Sequence, residues 1–230
     1  MNDFVIFNTP HLVVLVLTVL ASVVFVIIGR KFQSSQKILS SILVILIIIT
    51  TVASAVDKYV NGYLSIENHL PMHLCDWVIV FVLITFITKS IYSYEVAYFW
   101  GLGGTLQALI TPDIIVNYPS RAFIIFFVNH SSIIISLIYF TFVFKLRPYL
   151  PSIKRTFIWS QVYFVCAFTV NLILGTNYGF LMHKPGQGSV IDYLGPWPYY
   201  LISLEFLALI SFFIYYLPFW IKDRLSKQTS

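Results

Sequence analysis

The chain has 230 residues, 59% apolar and only 10% charged, with a formal net charge of +5. A typical soluble domain carries roughly 45–50% apolar and about 25% charged residues, so a water-soluble fold is excluded, as are disordered, coiled-coil and collagen-like chains. The 21 Phe, 15 Tyr and 5 Trp demand burial, and the long Ile, Val and Leu runs find it in lipid.

Against the roughly 17–25 residues needed to cross a bilayer, the apolar runs predict seven spans. The first, near 11–29, follows a stretch charged only by Asp3 and precedes Arg30 and Lys31, the reverse of a cleaved signal peptide. The second covers 38–56 and the third 72–89, opened by Pro71. The fourth, 95–111, is short and interrupted by Gly101, Gly103 and Gly104. Its Ala97, Gly101, Gly104 and Ala108 fall at helical spacing and predict an interior helix that another backbone approaches closely. That span ends at Thr111-Pro112; the remaining three cover 121–144, 155–175 and 197–220, with Pro119, Pro151 and Pro198 marking helix starts. One long connection, 176–196, has the length of a lid, a binding loop or a solvated linker.

Of the 14 Lys and Arg, 11 fall on one side of this arrangement and only Lys58, Arg121 and Lys184 on the other. The positive-inside rule then places the N-terminus outside and the C-terminus in the cytoplasm. Cations in short groups between apolar runs argue for membrane lipids as partners and against nucleic acid. The expected fold is all-α: a single seven-helix transmembrane domain over 1–230, with 176–196 as an outer loop.

Polar side chains are costly inside a bilayer, so each is a functional candidate. With a rise of about 1.5 Å per residue, Cys75 and Asp76, His130 and Asn129, Gln107, Asn171 and Glu205 all fall in the outer half. The inner half offers mainly hydroxyls, with Gln161 expected near the cytoplasmic end. One polar cavity near the outer leaflet accounts for this distribution. Within it Cys75 and His130 are the most reactive pair, His130 being read as the one histidine firmly inside a span. A buried thiol needs an imidazole or hydrogen-bond donors to become thiolate. If helices 3 and 5 are neighbours, Cys75 can attack an acyl carbonyl while His130 moves the proton. Asn129, Gln107 or Asn177 could donate to the oxyanion, and Asp76 or Glu205 could orient the imidazole or a headgroup.

Other readings compete. Cys75 can be inert packing, as Cys166 is expected to be. His130 can form an interhelical hydrogen bond, Asn129, Gln107 and Asn171 can tie helices together, and Asp76 can sit at its helix N-terminus for electrostatic reasons. His69, His73 and Asp76, completed by His130 or His183, could hold zinc in a lipid hydrolase, although Pro71 divides the first two. Without chemistry, the same cavity would suit a small transporter or a lipid-binding protein.

Leu70-Pro71-Met72-His73-Leu74-Cys75-Asp76, Gly104 through Ala108 leading into Thr111-Pro112, His130, Asn177-Tyr178 with Lys184-Pro185, and Asp192 through Pro198 resemble the YwaF-like family of bacterial integral membrane proteins. The resemblance covers about residues 10 to 220. That family is distantly similar to an animal transmembrane acyltransferase acting on ether phospholipids, and more remotely to androgen-induced hydrolases of fatty-acid esters. It implies a bacterial cytoplasmic-membrane enzyme of lipid acyl chemistry, transferase or hydrolase, without a cofactor. Its catalytic cysteine and histidine fall on Cys75 and His130. Beside the resemblance, Asp76, Gln107, Asn129, Asn171, Asn177, Tyr178 and Glu205 are expected as binding or supporting residues. Cysteine rather than threonine at position 75 favours the transferase branch.

Overall fold

The computed structural model describes residues 3–62, 64–66, 70–186 and 189–228. Among these residues the chain forms seven helices, and its one extended pairing is a bridge between Asp3 and Val116.

Helix α1, Thr9–Lys31, starts where the Asn8 side chain accepts from the His11 amide and Pro10 occupies the first turn, and it ends with Arg30 and Lys31 in its last turn. Helix α2, Gln36–Val60, returns after a short 3-10 turn, Gln33–Ser35. Helix α3, Leu74–Thr88, is followed within three residues by α4, which runs over 91–110 in three parts: Ile91–Trp100, a π-helical turn Gly101–Thr105, and Leu106–Ile110. Helix α5 is Arg121–Phe142, and the Ser120 hydroxyl caps it at Phe123. Helix α6, Leu150–Leu174, has Pro151 in its first turn and closes on Gly175 at φ 67°, a conformation glycine adopts without strain. Helix α7, Tyr199–Gln228, continues through Pro218.

Five of these, α1, α2, α5, α6 and α7, are long and apolar enough to cross a membrane. Helix α3 has 15 residues, about 22 Å, and falls short of a hydrocarbon layer of about 30 Å. It is shorter than the sequence predicts because Pro71 and the turn at His73 delay its start to Leu74. Helix α6 begins five residues earlier than expected, which brings Ser152 and Lys154 into the helix and makes Arg155, expected as its first residue, its sixth. Gln161 then lies about 17 Å from the α6 start, near mid-helix rather than near that end.

Helix α5 is the centre. It packs on α1, α2, α3 and α4, and its Ile133, Leu137, Tyr139 and Phe140 are fully buried. Helix α4 is the second interior element, as its small residues predict: a Cβ added to Gly101 would lie 2.3 Å from Leu137 Cδ1, and one on Gly104 would lie 3.0 Å from Leu74 Cδ2. Its π-turn touches α3, α5 and α7.

Polar contacts tie the loops into two ends. At one end the Phe4 amide donates to the Ile115 carbonyl, Arg121 pairs with Asp57 at 3.3 Å, and the Leu70 amide donates to the Tyr178 hydroxyl. At the opposite end the Tyr139 hydroxyl donates to the Gln36 carbonyl, and Arg147 makes a two-bonded pair with Asp223. Nearby, Glu95 of α4 is 1% exposed and accepts from Arg155 Nε at 2.8 Å, from Arg155 Nη2 at 2.6 Å and from the Ser152 hydroxyl.

Removing one member of a buried pair leaves an uncompensated charge, whereas removing both does not. Arg155→Leu is therefore expected to lower stability by about 3 kcal/mol or more. The double change Glu95→Gln with Arg155→Gln should recover most of that loss, read as thermal unfolding in detergent micelles.

Candidate functional site

Cys75 is the second residue of α3, in the first helical turn, and is half-buried. Free amides and the helix dipole at such a terminus favour negative charge. The Thr105 hydroxyl, at the end of the α4 π-turn, donates to the Cys75 sulfur at 3.8 Å. Beside it, Leu74 closes over Gly104.

His130 lies on α5, nine residues from its start, and is half-buried. Its ring stacks on Phe126 with centroids 4.0 Å apart, and Nδ1 lies 2.8 Å from the Phe126 carbonyl oxygen. A carbonyl only accepts, so Nδ1 carries the proton and Nε2 is the basic nitrogen of the neutral ring. Nε2 has no hydrogen-bond partner among the described residues.

Helices α3 and α5 pack against each other, and both pack against the π-turn between them. On α5, His130 and Leu137 are two turns apart on one face, and Leu137 is the residue pressed against Gly101. The cysteine and the histidine thus come from neighbouring helices that both contact the α4 π-turn, α3 through Cys75 and Leu74 and α5 through Leu137, with His130 about 10 Å along α5 from Leu137. No hydrogen bond joins them directly among the described residues; each is held by its own partner.

The other polar residues singled out from the sequence do not converge on the sulfur. The Asp76 carboxylate accepts from the His73 amide at 3.0 Å and caps α3. Gln107 donates to the Thr111 hydroxyl one turn on at 2.7 Å. Asn129 is buried and donates to Thr50 and Thr51 of α2, at 2.9 and 3.2 Å. Glu205 of α7 accepts from Gln161 of α6 at 2.7 Å, so these two residues, expected in opposite halves, meet at one level. The reason is the early start of α6.

Asn171, Asn177 and Tyr178 organise the connection 176–196. The Asn171 side chain accepts from the Tyr178 amide and the Thr176 hydroxyl and donates to the Tyr178 carbonyl. Asn177 accepts from the Met182 and His183 amides. Tyr178 is fully buried; its hydroxyl donates to the Ile66 carbonyl and accepts from the Leu70 amide, clamping the segment that leads into α3. Trp197 and Tyr200 donate to the carbonyls of Leu181 and Phe180 and fix the far side. The described part of this connection is therefore internally bonded rather than structureless.

For a metal, His69 lies outside the described residues. His73 packs its ring on Tyr178 at 5.2 Å and on Phe180 at 6.2 Å, while His183 Nδ1 lies 2.9 Å from the Asn177 side-chain nitrogen. Among the described residues no three His, Cys, Asp or Glu side chains are grouped to hold a metal ion.

Sequence reasoning missed three polar features. His130 is not alone: His11 is fully buried, with Nδ1 accepting from the Phe7 amide and Nε2 donating to the Leu109 carbonyl. Its depth comes from the 3–8 segment folding over it, which spacing along α1 does not reveal. Glu95 lay at the edge of the predicted fourth span, although an acid facing Arg155 at the same depth was a readable charge match. Thr105 was hidden in the glycine-rich interruption, whose only sequence signal was the interruption itself.

A family model described as the TMEM164 family matches residues 6–216. No curated protein and no solved structure matches the chain.

The Tyr178 clamp is directly testable. Tyr178→Phe keeps the ring and removes the hydroxyl that holds Leu70 and Ile66. Amide exchange at Leu70 should accelerate by about tenfold, measured by hydrogen–deuterium exchange, with α5 unchanged.

Proposed function

The chain belongs to the TMEM164 family, and from that premise we propose a seven-span membrane enzyme of lipid acyl chemistry, with Cys75 as nucleophile and His130 as acid and base. The observation that carries the reading is the state of His130: its ring is locked through Nδ1, its basic Nε2 is open, and its helix adjoins α3, whose first turn holds Cys75. The proposal keeps the YwaF-like kinship and a bacterial cytoplasmic membrane. The positive-inside count supports an outside N-terminus and a cytoplasmic C-terminus, and therefore a site near the outer leaflet.

In the proposed reaction His130 Nε2 takes the Cys75 proton as the sulfur attacks an acyl ester carbonyl. The imidazolium then protonates the departing alcohol oxygen, leaving an acyl-cysteine. An acceptor hydroxyl, or water in a hydrolase, gives its proton to His130 and attacks the thioester, and the thiol is regenerated as the proton returns to sulfur. The transferase outcome requires that an acceptor lipid outcompete water, which a site among apolar helices favours. Asp76 sets the start of α3, Asn129 anchors α5 to α2, and Asn171, Asn177 and Tyr178 hold the outer loop over the α3 entrance. Gln107 and Glu205 are assigned supporting roles in α4 and between α6 and α7. The seven spans form a single domain over 1–230.

An alkynyl fatty-acyl ester probe should label the wild-type chain through a hydroxylamine-sensitive thioester. Cys75→Ala should abolish labelling, His130→Gln should reduce its rate by about 100-fold or more, and Cys166→Ala should leave it intact. Labelling that persists in Cys75→Ala would remove the nucleophile assignment. Lipid binding without labelling in any folded variant would favour a non-enzymatic lipid-binding protein.

A further inference from the structure

Most hydroxyls in the helices of this protein follow one habit, although Ser152 donates to Glu95 on another helix and the buried Thr156 hydroxyl has no partner among the described residues. Thr18, Ser22, Thr50, Thr51, Thr85, Thr88, Ser132, Ser136, Thr141 and Ser160 each donate to the carbonyl four residues back. That is the ordinary resting place for a hydroxyl on a helix lacking water. Thr105 departs from it: it is fully buried and its hydroxyl donates to the Cys75 sulfur on another helix.

The cause is local. In the π-turn Gly101–Thr105 the Leu106 amide reaches back five residues to the Gly101 carbonyl, the very group to which a Thr105 hydroxyl would return in an α-helix. The turn is widened, and the Tyr215 hydroxyl of α7 donates to the Leu102 carbonyl within it at 3.1 Å. Gly101 and Gly104 let Leu137 and Leu74 press against the turn from either side. Other donors near the site are engaged elsewhere: Gln107 with Thr111, Asn129 with α2, Asn177 with the outer loop.

We infer that Thr105 is the positioning residue of the cysteine: the π-turn exists in α4 to free its hydroxyl, which orients the Cys75 sulfur and donates to it as thiolate. The inference rests on the reading of Cys75 as nucleophile, and it adds a donor that neither the cysteine nor the histidine supplies. A thiolate among apolar side chains needs such a donor, and hydrogen bonds to charged groups are the strong ones.

The test uses the full chain in lipid nanodiscs with Cys166→Ala as background, so that Cys75 is the one thiol. Alkylation by iodoacetamide, in which the thiolate displaces iodide, is followed across pH and requires no acyl substrate. Thr105→Val keeps the shape and removes the hydroxyl. It should slow alkylation near neutral pH by about tenfold and move the midpoint of the pH–rate curve up by about one unit, with the high-pH plateau unchanged. Thr105→Ser should restore the wild-type curve to within about twofold. A general packing defect would change the plateau instead of the midpoint. An unshifted midpoint in Thr105→Val, or a Thr105→Ser curve equal to that of Thr105→Val, overturns the inference. Should Thr105→Val not fold, Thr105→Ala is read in the same assay with the same two outcomes. If the acyl probe fails while this order of alkylation holds, the enzymatic reading falls and the Thr105–Cys75 donor stands.

Discussion

Inside a bilayer, a donor or acceptor that loses its partner cannot turn to water, and in this protein that constraint organises the interior. Helical backbones satisfy themselves, and most hydroxyls fold back onto their own helix. The groups left over must meet across helices at matched depths. Glu95 and Arg155 meet this way between α4 and α6, Asn129 and the Thr50–Thr51 pair between α5 and α2, and Thr18 and Ser131, at 2.7 Å, between α1 and α5. These contacts set which faces of the helices can touch, because each leaves a costly orphan if its helix rotates by a residue.

Helix α4 carries the consequence furthest. Its glycines allow close approach, and its π-turn places one hydroxyl and one carbonyl outside the regular ladder. Both are taken up by other helices, the hydroxyl by Cys75 of α3 and the carbonyl by Tyr215 of α7. A short irregular turn thereby joins three helices at the level where the cysteine sits. The long connection after α6 performs a related task from outside: Tyr178 is buried and holds the segment that leads into α3, so the position of Cys75 depends on a loop a hundred residues away.

Much of this was legible in the residues. Apolar run lengths and proline positions located all seven helices, and the small-residue spacing identified α4 as an interior element. The prolines also misled: Pro151 lies inside the first turn of α6 rather than before it, which moved Gln161 to mid-helix and into contact with Glu205. The burial of His11 was not legible, because a covering segment such as 3–8 leaves no periodic trace along α1. Cys75 and His130 stood out by residue type and depth, but type and depth do not tell which nitrogen of a ring is protonated or which helix stands beside which.

The division follows from the range of the forces. Hydrophobic burial in lipid and the exclusion of charge from it act on each segment alone, so the sequence by itself determined a helical membrane chain, its approximate spans and the few polar groups within them. Hydrogen bonds are short and directional, so their pairing depends on helix rotation, register and neighbour order. Only the tertiary structure decided that Phe126 fixes the His130 tautomer, that Arg155 neutralises Glu95, and that a π-turn frees the Thr105 hydroxyl for the Cys75 sulfur.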